Sequence, residues 1–312
     1  MQTRQLGLTG LEIAPLVFGG NVFGWTADRD TSHDLIDRFL DRGFNAIDTA
    51  DVYSAWVDGN SGGESESVIG EWIARTKRRH DVVLMSKVGM LDGRKGLSEA
   101  NIVAACEDSL RRLKTDHIDV YFAHRDDPDT PLAETLSAFA KLKQQGKIRH
   151  VGASNYTADR LEDAVSAAQG DGMAALEVFQ PEYNLASRDY EGALKEAAIG
   201  HGMAVTPYFS LASGFLTGKY RSKDDIAGTD REAMLGPYFD GKGPQILEAL
   251  LAVAEERAVP PAQVALAWLI GKDGVTAPIA SARDAGQLDT ILGAADLHLS
   301  EDEMARLDAA GR

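Results

Sequence analysis

Two carboxylates and a phenol follow a short apolar run in the segment NAIDTADVYS, residues 45–54. The apolar pair before them is typical of the end of a buried strand, and Asp48, Asp51 and Tyr53 come next. An acidic turn with a surface tyrosine is one interpretation of this pattern. The other is that Asp48 and Tyr53 belong to a site that transfers protons. The choice depends on what other strands place beside this segment.

A lysine and a histidine follow two further apolar runs. Lys87 comes after VVLMS, and His124 comes after DVYFA. An unpaired buried lysine is costly, so Lys87 needs a carboxylate, and Asp48 on the neighbouring run is the candidate. Because a nearby ammonium stabilises a phenolate, we expect Lys87 to lower the pKa of Tyr53 and to make it a general acid near neutral pH. His124 is then placed to hydrogen-bond the same substrate oxygen.

Each of these residues also has an ordinary structural interpretation. A histidine at a strand end is usually structural, a lysine there is usually solvated, and a loop tyrosine usually packs on the surface. Their joint occurrence at the ends of three neighbouring strands favours the catalytic interpretation.

Strand-like runs alternate with amphipathic segments along nearly the whole chain. The predicted strands are residues 15–20, 45–50, 81–88, 119–124, 150–155, 175–180, 203–209 and 275–280. The predicted helices are residues 32–43, 66–77, 101–114, 134–147, 159–169 and 190–202. Repeated strand–helix units predict parallel strands that close into a single (β/α)8 TIM barrel domain spanning residues 1–312. Catalytic groups then lie at the carboxyl ends of the strands.

Three segments fall outside this minimal plan. Residues 3–15, TRQLGLTGLEIAP, predict a short β-hairpin that caps the barrel floor. Residues 210–242 form a long, glycine-rich, charged segment, and loops of this length are usually functional or disordered. Residues 299–310 predict an extra C-terminal helix, because Ser300 and Glu303 have the spacing of a capping box.

Composition restricts the class of protein. The 312 residues are 44% apolar and 26% charged, as in soluble globular proteins. The net charge of −16 disfavours nucleic acid and anionic membranes as partners. No apolar run approaches the length of a membrane span, the N-terminus lacks the apolar segment of a signal peptide, and Cys106 has no internal disulfide partner. We therefore predict a cytoplasmic protein, and the residues indicate no particular oligomeric state.

A second set of strand-end groups indicates a cofactor. Ser154, Asn155 and Gln180 offer hydroxyl and carboxamide groups that can hold another amide, and Tyr208 offers a ring that stacks on a flat one. Each is also compatible with a polar loop residue facing water. Arg283, close to the eighth predicted strand, suits a 2′-phosphate.

The segment SLASGFLTGK, residues 210–219, offers backbone N–H groups and the cation of Lys219 to a pyrophosphate. It is not a P-loop, because Gly214 and Gly218 have the wrong spacing and Tyr220 replaces Ser or Thr. No G-x-G-x-x-G follows a strand, so a Rossmann site is not indicated.

Two other kinds of site find little support. The seven histidines are scattered and a single cysteine builds no thiolate cluster, so we predict no metal site. A barrel glycosidase needs two opposed carboxylates, and Asp126, Asp127 and Glu182 are only loose candidates.

The strand ends resemble those of the aldo-keto reductases over nearly the full chain. The matching segments are FNAIDTADVYS, LMSKVG, YFAHRDD, IRHVGASNY, VFQPEYNL, TPYFSLASGFLTGKY and PPAQVALAWLI, in this order. The resemblance is greatest to the branch that holds bacterial members and potassium-channel β-subunits. It implies a barrel that binds NADP(H), with NAD(H) less favoured, and that reversibly reduces small-molecule aldehydes and ketones to alcohols.

The resemblance also implies roles for individual residues. Tyr53 matches the proton donor, Lys87 and Asp48 match the pair that tunes it, and His124 matches the residue that orients the carbonyl. The implied cofactor-binding residues are Gly20, Asn21, Ser154, Asn155, Gln180, Tyr208, Phe209, Ser210, Leu211, Ser213, Gly214, Leu216, Lys219, Ser281, Arg283 and Gln287. Trp25 matches a substrate-pocket aromatic, and we expect Trp56 and Tyr183 to extend an aromatic pocket suited to aryl aldehydes, quinones or bulky secondary alcohols.

The chain departs from the family pattern in two places. Phe209 and Ser210 stand where many members have Ser-Pro, and Thr290 and Ile291 stand where an acidic residue and Asn often hold the adenine. Similarity to channel β-subunits implies an alternative function, a redox-sensing regulatory subunit that binds NADP with little turnover. The complete set of four catalytic positions favours an enzyme.

Overall fold

The computed structural model describes residues 2–229 and 232–312. Among these residues, eight parallel strands form one curled sheet with helices packed around it, which confirms the predicted (β/α)8 barrel. The eight strands are β3 (Val17–Gly19), β4 (Ala46–Asp48), β5 (Val83–Val88), β6 (Ile118–Ala123), β7 (Ile148–Ser154), β8 (Val178–Gln180), β9 (Ala204–Val205) and β10 (Ile279–Ala280). Backbone hydrogen bonds from Thr276 to Val205 (2.8 Å) and from Ile279 to Pro207 (2.8 Å) join the last two strand segments.

The helices follow the strands in the expected alternation. They are α1 (Arg29–Asp41), α2 (Glu64–Thr76), α3 (Glu99–Leu113), α4 (Leu132–Gln144), α5 (Ala158–Ala167), α6 (Ala193–Gly200), α7 (Glu232–Leu235), α8 (Gly243–Arg257), α9 (Pro261–Gly271), α10 (Ala285–Gly293) and α11 (Glu301–Gly311). Each of the six predicted helices overlaps one of α1 to α6. The sequence analysis did not predict α8, α9 and α10. Helix α9 is buried on most of its faces, so it lacks the polar stripe that marks an amphipathic helix.

The terminal elements agree with their sequence signals. An antiparallel hairpin, β1 (Arg4–Gln5) and β2 (Glu12–Ile13), precedes the barrel. The Ser300–Glu303 capping box starts α11. The segment predicted as a long loop contains short helical turns, Ala212–Thr217 and Gly236–Phe239, besides α7, and its residues 230 and 231 lie outside the described residues. No helix in the described ranges is long and apolar enough to cross a membrane.

The barrel interior is an apolar layer built from alternate residues of the strands. Its members are Leu6, Ile13, Val17, Ala46, Met85, Val120, Phe122, Val178, Ala204, Ala277 and Ile279. Leu6 and Ile13 come from the hairpin, so the hairpin closes the interior at the end opposite the carboxyl ends of the strands. Because strand side chains alternate between faces, the residue two positions after Met85 again points inward. That residue is Lys87, and the fold therefore buries a charge above the apolar layer.

Candidate active site

Three neighbouring strands place their last inward-facing residues at one rim of the barrel. Asp48 ends β4, Lys87 is the next to last residue of β5, and His124 directly follows β6. These strands are parallel and adjacent in the sheet, so their carboxyl ends meet. Tyr53 lies in the turn after β4.

Lys87 is the centre of the hydrogen bonding at this rim. It is 0% exposed, and its ammonium donates to Asp48 Oδ2 (2.6 Å), to Tyr53 Oη (2.8 Å) and to the Thr49 carbonyl (2.8 Å). An ammonium has three protons, so all of them are used. The structure thus brings Asp48, Lys87 and Tyr53 together as the sequence predicts.

The direction of the pKa change at Tyr53 differs from the expectation. Burial, followed by the charge of Asp48, raises the pKa of Tyr53 well above its ordinary value. The phenol donates to Asp48 Oδ2 at 3.2 Å, and burial also lowers the pKa of Lys87. The expected lowering by Lys87 was wrong because it ignored desolvation and the carboxylate's effect on the phenol itself. Tyr53 therefore keeps its proton at neutral pH.

His124 is a neutral imidazole beside Tyr53. Burial, then the charge of Lys87, lowers its pKa well below the ordinary value. Its ring centroid lies 6.0 Å from that of Tyr53. His124 Nδ1 is buried without a hydrogen-bond partner in the described part of the chain. A neutral imidazole donates from one ring nitrogen and accepts at the other, which suits the orientation of a carbonyl oxygen.

The predicted amide-binding residues connect to this centre. Gln180 donates to Asp48 Oδ1 (2.9 Å), and Ser154 donates to the Gln180 carbonyl (2.8 Å). Asn155 donates to the His124 carbonyl (2.9 Å) and accepts from the Tyr208 hydroxyl (2.6 Å). The set is therefore assembled at one rim, with Gln180 also hydrogen-bonded to the Asp48 carboxylate.

The rim of β3 is tightly packed. The Ser281 hydroxyl donates to Asn21 Oδ1 (2.5 Å), and a Cβ on Gly19 would lie 2.5 Å from the Ser281 hydroxyl. Ser65 of α2 donates to the Gly20 carbonyl at 2.7 Å. Gly20, Asn21 and Ser281 therefore lie together, as a shared ligand site requires.

The segment after β9 has an unusual backbone. Phe209, Ala212 and Ser213 have φ values of 51°, 47° and 57°, and Gly214 has a φ of 99°. The left-handed region costs a residue with a side chain about 1 kcal/mol or more. The space where a Gly214 side chain would project is open. Strained loops of this kind cluster at ligand sites.

Three neighbours in this segment take structural positions. The Ser210 hydroxyl donates to the Pro207 carbonyl (3.1 Å), and Leu211 packs half-buried against the outer core. Leu216 is fully buried, and its N–H donates to the Leu211 carbonyl (3.2 Å). The Leu216 side chain thus anchors the turn in the outer core.

The predicted phosphate and adenine region follows β10. Arg283 and Gln287 are exposed, and the Gln287 side chain accepts from the Arg283 N–H at 3.2 Å. Thr290 donates to the Gly286 carbonyl of its own helix, and Ile291 is buried in the core. The Ile291 side chain therefore offers no polar group to an adenine. Lys219, the other predicted cation, is exposed over the ring of Tyr220.

Two of the three predicted pocket aromatics line the rim. Trp25 and Trp56 are 43% and 50% exposed and contact each other edge to face at 5.7 Å. Trp56 also lies 6.1 Å from the Tyr53 ring. Tyr183 is the exception, because it is 2% exposed, donates to Glu191 (2.6 Å) and packs on Trp268 of α9. The prediction for Tyr183 was wrong, since its side chain points into the outer core.

A sequence model of the Aldo/keto reductase family matches residues 15–312. The chain belongs to the aldo/keto reductase family. Membership of this family supports an oxidoreductase function for the protein that carries the rim just described.

Several proteins resemble this reductase over almost their full lengths. "Uncharacterized oxidoreductase YrpG" of Bacillus subtilis (strain 168) is 34% identical, over 99% of this chain and 95% of the relative. "Protein tas" of Escherichia coli (strain K12) is 29% identical, over 99% of this chain and 97% of the relative. "Probable voltage-gated potassium channel subunit beta" of Arabidopsis thaliana is 32% identical, over 95% of this chain and 92% of the relative.

Sequence reasoning missed part of the reductase's rim. The Thr49 carbonyl accepts from Lys87, a backbone contact that no side-chain pattern predicts. Behind the strands, Glu66 of α2 accepts from Ser86 (2.5 Å) and from Arg112 of α3 (2.7 Å). The acidic first turn of α2 is visible in the sequence. Its pairing is not, because Arg112, the partner of Glu66, lies 46 residues away along the chain. The loose glycosidase candidate Asp126 is instead held by Arg160 (2.8 Å).

Proposed function

We propose that this aldo-keto reductase uses NADP(H) to interconvert aldehydes or ketones and alcohols, with Tyr53 as the general acid and base. The observation that carries the proposal is the buried contact of Lys87 with both Tyr53 (2.8 Å) and Asp48 (2.6 Å). Burying an ammonium is costly, and here it places the charge against a phenol that faces the barrel mouth. Such an arrangement suits proton transfer to a substrate oxygen.

The residues act on the carbonyl oxygen. Tyr53 and His124 hydrogen-bond this oxygen and orient the carbonyl. Bound NADPH would supply the hydride to the carbon. As the oxygen gains negative charge, Tyr53 transfers its proton to it and becomes a phenolate. Lys87 stabilises that phenolate, and Asp48 keeps Lys87 charged. In the reverse direction the phenolate takes the proton of the alcohol.

The rim fits a nicotinamide dinucleotide in three respects. Ser154, Asn155 and Gln180 offer amide and hydroxyl groups beside Tyr53 and the partly exposed ring of Tyr208. The left-handed turn at residues 212–214 leaves open space beside its backbone. Arg283 supplies an exposed cation that favours the 2′-phosphate of NADP over NAD. The remaining predicted ligands, from Gly20 and Asn21 to Lys219 and Gln287, stay part of this proposal.

The test follows NADPH absorbance with a panel of aryl aldehydes, quinones and ketones. We expect Tyr53→Phe to lower kcat by about a hundredfold or more while NADPH still binds, because the ring remains and the proton is lost. Tyr156→Phe is the matched control, since Tyr156 packs in the outer core. Near-normal turnover by the Tyr53→Phe variant would disprove the acid assignment.

A second candidate function is a regulatory subunit that binds NADP with little turnover. Similarity to the plant protein named as a probable potassium channel β subunit favours it. The same panel separates the two functions. A regulatory subunit quenches its tryptophan fluorescence on binding NADPH and oxidises no NADPH with any carbonyl.

A further inference from the structure

A second buried carboxyl group lies directly behind the catalytic lysine. Asp51 is 1% exposed, and neither of its carboxyl oxygens has a hydrogen-bond partner within the described ranges. Its backbone N–H donates to the Lys87 carbonyl at 3.2 Å. Buried polar groups are nearly always hydrogen-bonded, so a carboxyl group with two unpartnered oxygens requires an explanation. The mechanism proposed above does not use it.

Charged and titratable groups from four elements face Asp51. They are Lys87 of β5, Glu66 of α2, Arg112 of α3, and Tyr121 of β6 with Cys106 of α3 behind it. Burial raises the pKa of Tyr121 well above its ordinary value and that of Cys106 to about 12, so both are neutral near pH 7.

The two cations are already paired. Lys87 uses its three protons on Asp48, Tyr53 and the Thr49 carbonyl. Arg112 donates to Glu66 and contacts it at 2.6 Å. Neither cation therefore directs a hydrogen bond at Asp51.

The charges of this buried group balance without Asp51. Lys87 and Arg112 carry two positive charges, and Asp48 and Glu66 carry two negative charges. An ionised Asp51 is therefore the excess charge of the cluster. Burial, then the charge of Glu66, raises the pKa of Asp51 to about 7, against smaller opposing effects of Arg112, the adjacent Val52 N–H and Lys87.

We propose that Asp51 is a proton-linked positioning residue, whose charge sets how firmly Lys87 and Tyr53 hold their protons. This inference rests on the proposed function of those two residues. An ionised Asp51 adds negative charge behind Lys87 and stabilises its ammonium. The same charge opposes the formation of a phenolate at Tyr53. Carbonyl reduction, which needs a protonated Tyr53 and a charged Lys87, is thereby extended to higher pH.

The first test does not depend on turnover. Aspartate carrying ¹³C in its carboxyl group is incorporated into the whole chain, and the Asp51 resonance is identified by its loss in Asp51→Asn. We expect this resonance to titrate with a midpoint near 7. A midpoint in the ordinary carboxyl range of about 4 would overturn the proposal. Failure of the proposed function would leave this titration unchanged.

The second test is the pH profile of kcat/KM for carbonyl reduction. We expect Asp51→Asn to move the alkaline limb to lower pH by roughly one unit, because it removes a negative charge near Lys87. Asp58→Asn is the matched control, since Asp58 is exposed in the same connecting loop and water screens its charge. Asp51→Ser, a second neutral variant, must show the same displacement. An unmoved limb in a folded, active variant would refute the role of Asp51.

Discussion

At the residue scale, one lysine determines the chemistry of the rim. Lys87 gives its three protons to a carboxylate, a carbonyl and a phenol, and it has no access to water. Such a charge is tolerated only with complete pairing, so the pair with Asp48 contributes to folding as well as to the proposed proton transfer. Changes at either partner should therefore affect stability as well as activity.

Lys87→Met should abolish carbonyl reduction and destabilise the protein. Removing the cation leaves Asp48 as an uncompensated buried charge, which costs about 3–5 kcal/mol. Denaturant unfolding measures this loss. The double variant Lys87→Met/Asp48→Asn removes both charges and should recover much of the stability without recovering activity. Equal losses in the single and double variants would show that the pair is not electrostatically coupled.

Asp51→Asn should stabilise the protein relative to wild type as pH rises. The folded pKa of Asp51 is about 7, above the ordinary 3.8, so the native state binds more protons between these values. Wild-type stability therefore falls as pH rises through this window, and the neutral variant lacks this loss. Urea unfolding at about pH 5 and about pH 8 should show a larger advantage of the variant at the higher pH. A constant difference would contradict a raised pKa.

At the element scale, the two-residue period of the strands positions the site. The same alternation that points Met85 into the apolar layer points Lys87 to the rim above it. Gly152 of β7 leaves room for the Phe122 ring of this layer, because a Cβ there would lie 2.3 Å from the ring. The loop after β9 contributes differently, through left-handed backbone at positions that carry side chains.

Ser213→Val should weaken NADPH binding. A β-branched residue resists the left-handed conformation that Ser213 adopts at φ 57°, with a cost of about 1–2 kcal/mol. Fluorescence titration should show a roughly tenfold higher Kd for NADPH with little change in kcat. Ser213→Gly, which accepts this conformation, is the control and should bind at least as well as wild type. Loss of binding in both variants would assign the effect to the hydroxyl group.

At the scale of the whole molecule, the cofactor proposed for this strongly acidic chain is itself an anion. The net charge is −16, so local cations must offset a repulsive surface. Arg283 and Lys219 are exposed cations in segments proposed to bind phosphates. The proposed cofactor choice therefore depends on a few positive side chains against the overall charge.

Arg283→Gln should lower the affinity for NADPH by about tenfold and leave NADH nearly unchanged, because only NADPH carries the 2′-phosphate. Titrations with both cofactors at low and high salt provide the measurement. The wild-type preference for NADPH should itself shrink at high salt. Arg221→Gln, at an exposed arginine of the glycine-rich segment 210–242, is the matched control. An equal loss for both cofactors would place Arg283 on a shared phosphate.

Much of the fold and the centre of the site followed from the sequence alone. The strand and helix periods and the Ser300–Glu303 cap are local patterns, and parallel strands place their ends at one rim. These rules predicted that Lys87 would meet Asp48 and Tyr53. The hydrophobic periodicity of a helix gave no signal for α9, because burial on most of its faces removes the alternation of polar and apolar residues.

Only the tertiary structure decided the protonation of the rim and the environment of its neighbours. The pKa of Tyr53 rises because of desolvation and the charge of Asp48, and burial depends on the assembled barrel. The Tyr183 side chain lies in the outer core, where it packs against Trp268 of α9, a helix distant along the chain. Asp51 lacks a cationic partner because the fold pairs Arg112 with Glu66. Charge balance and desolvation are sums over neighbours brought together from distant parts of the chain, whereas periodicity is a property of neighbours along it.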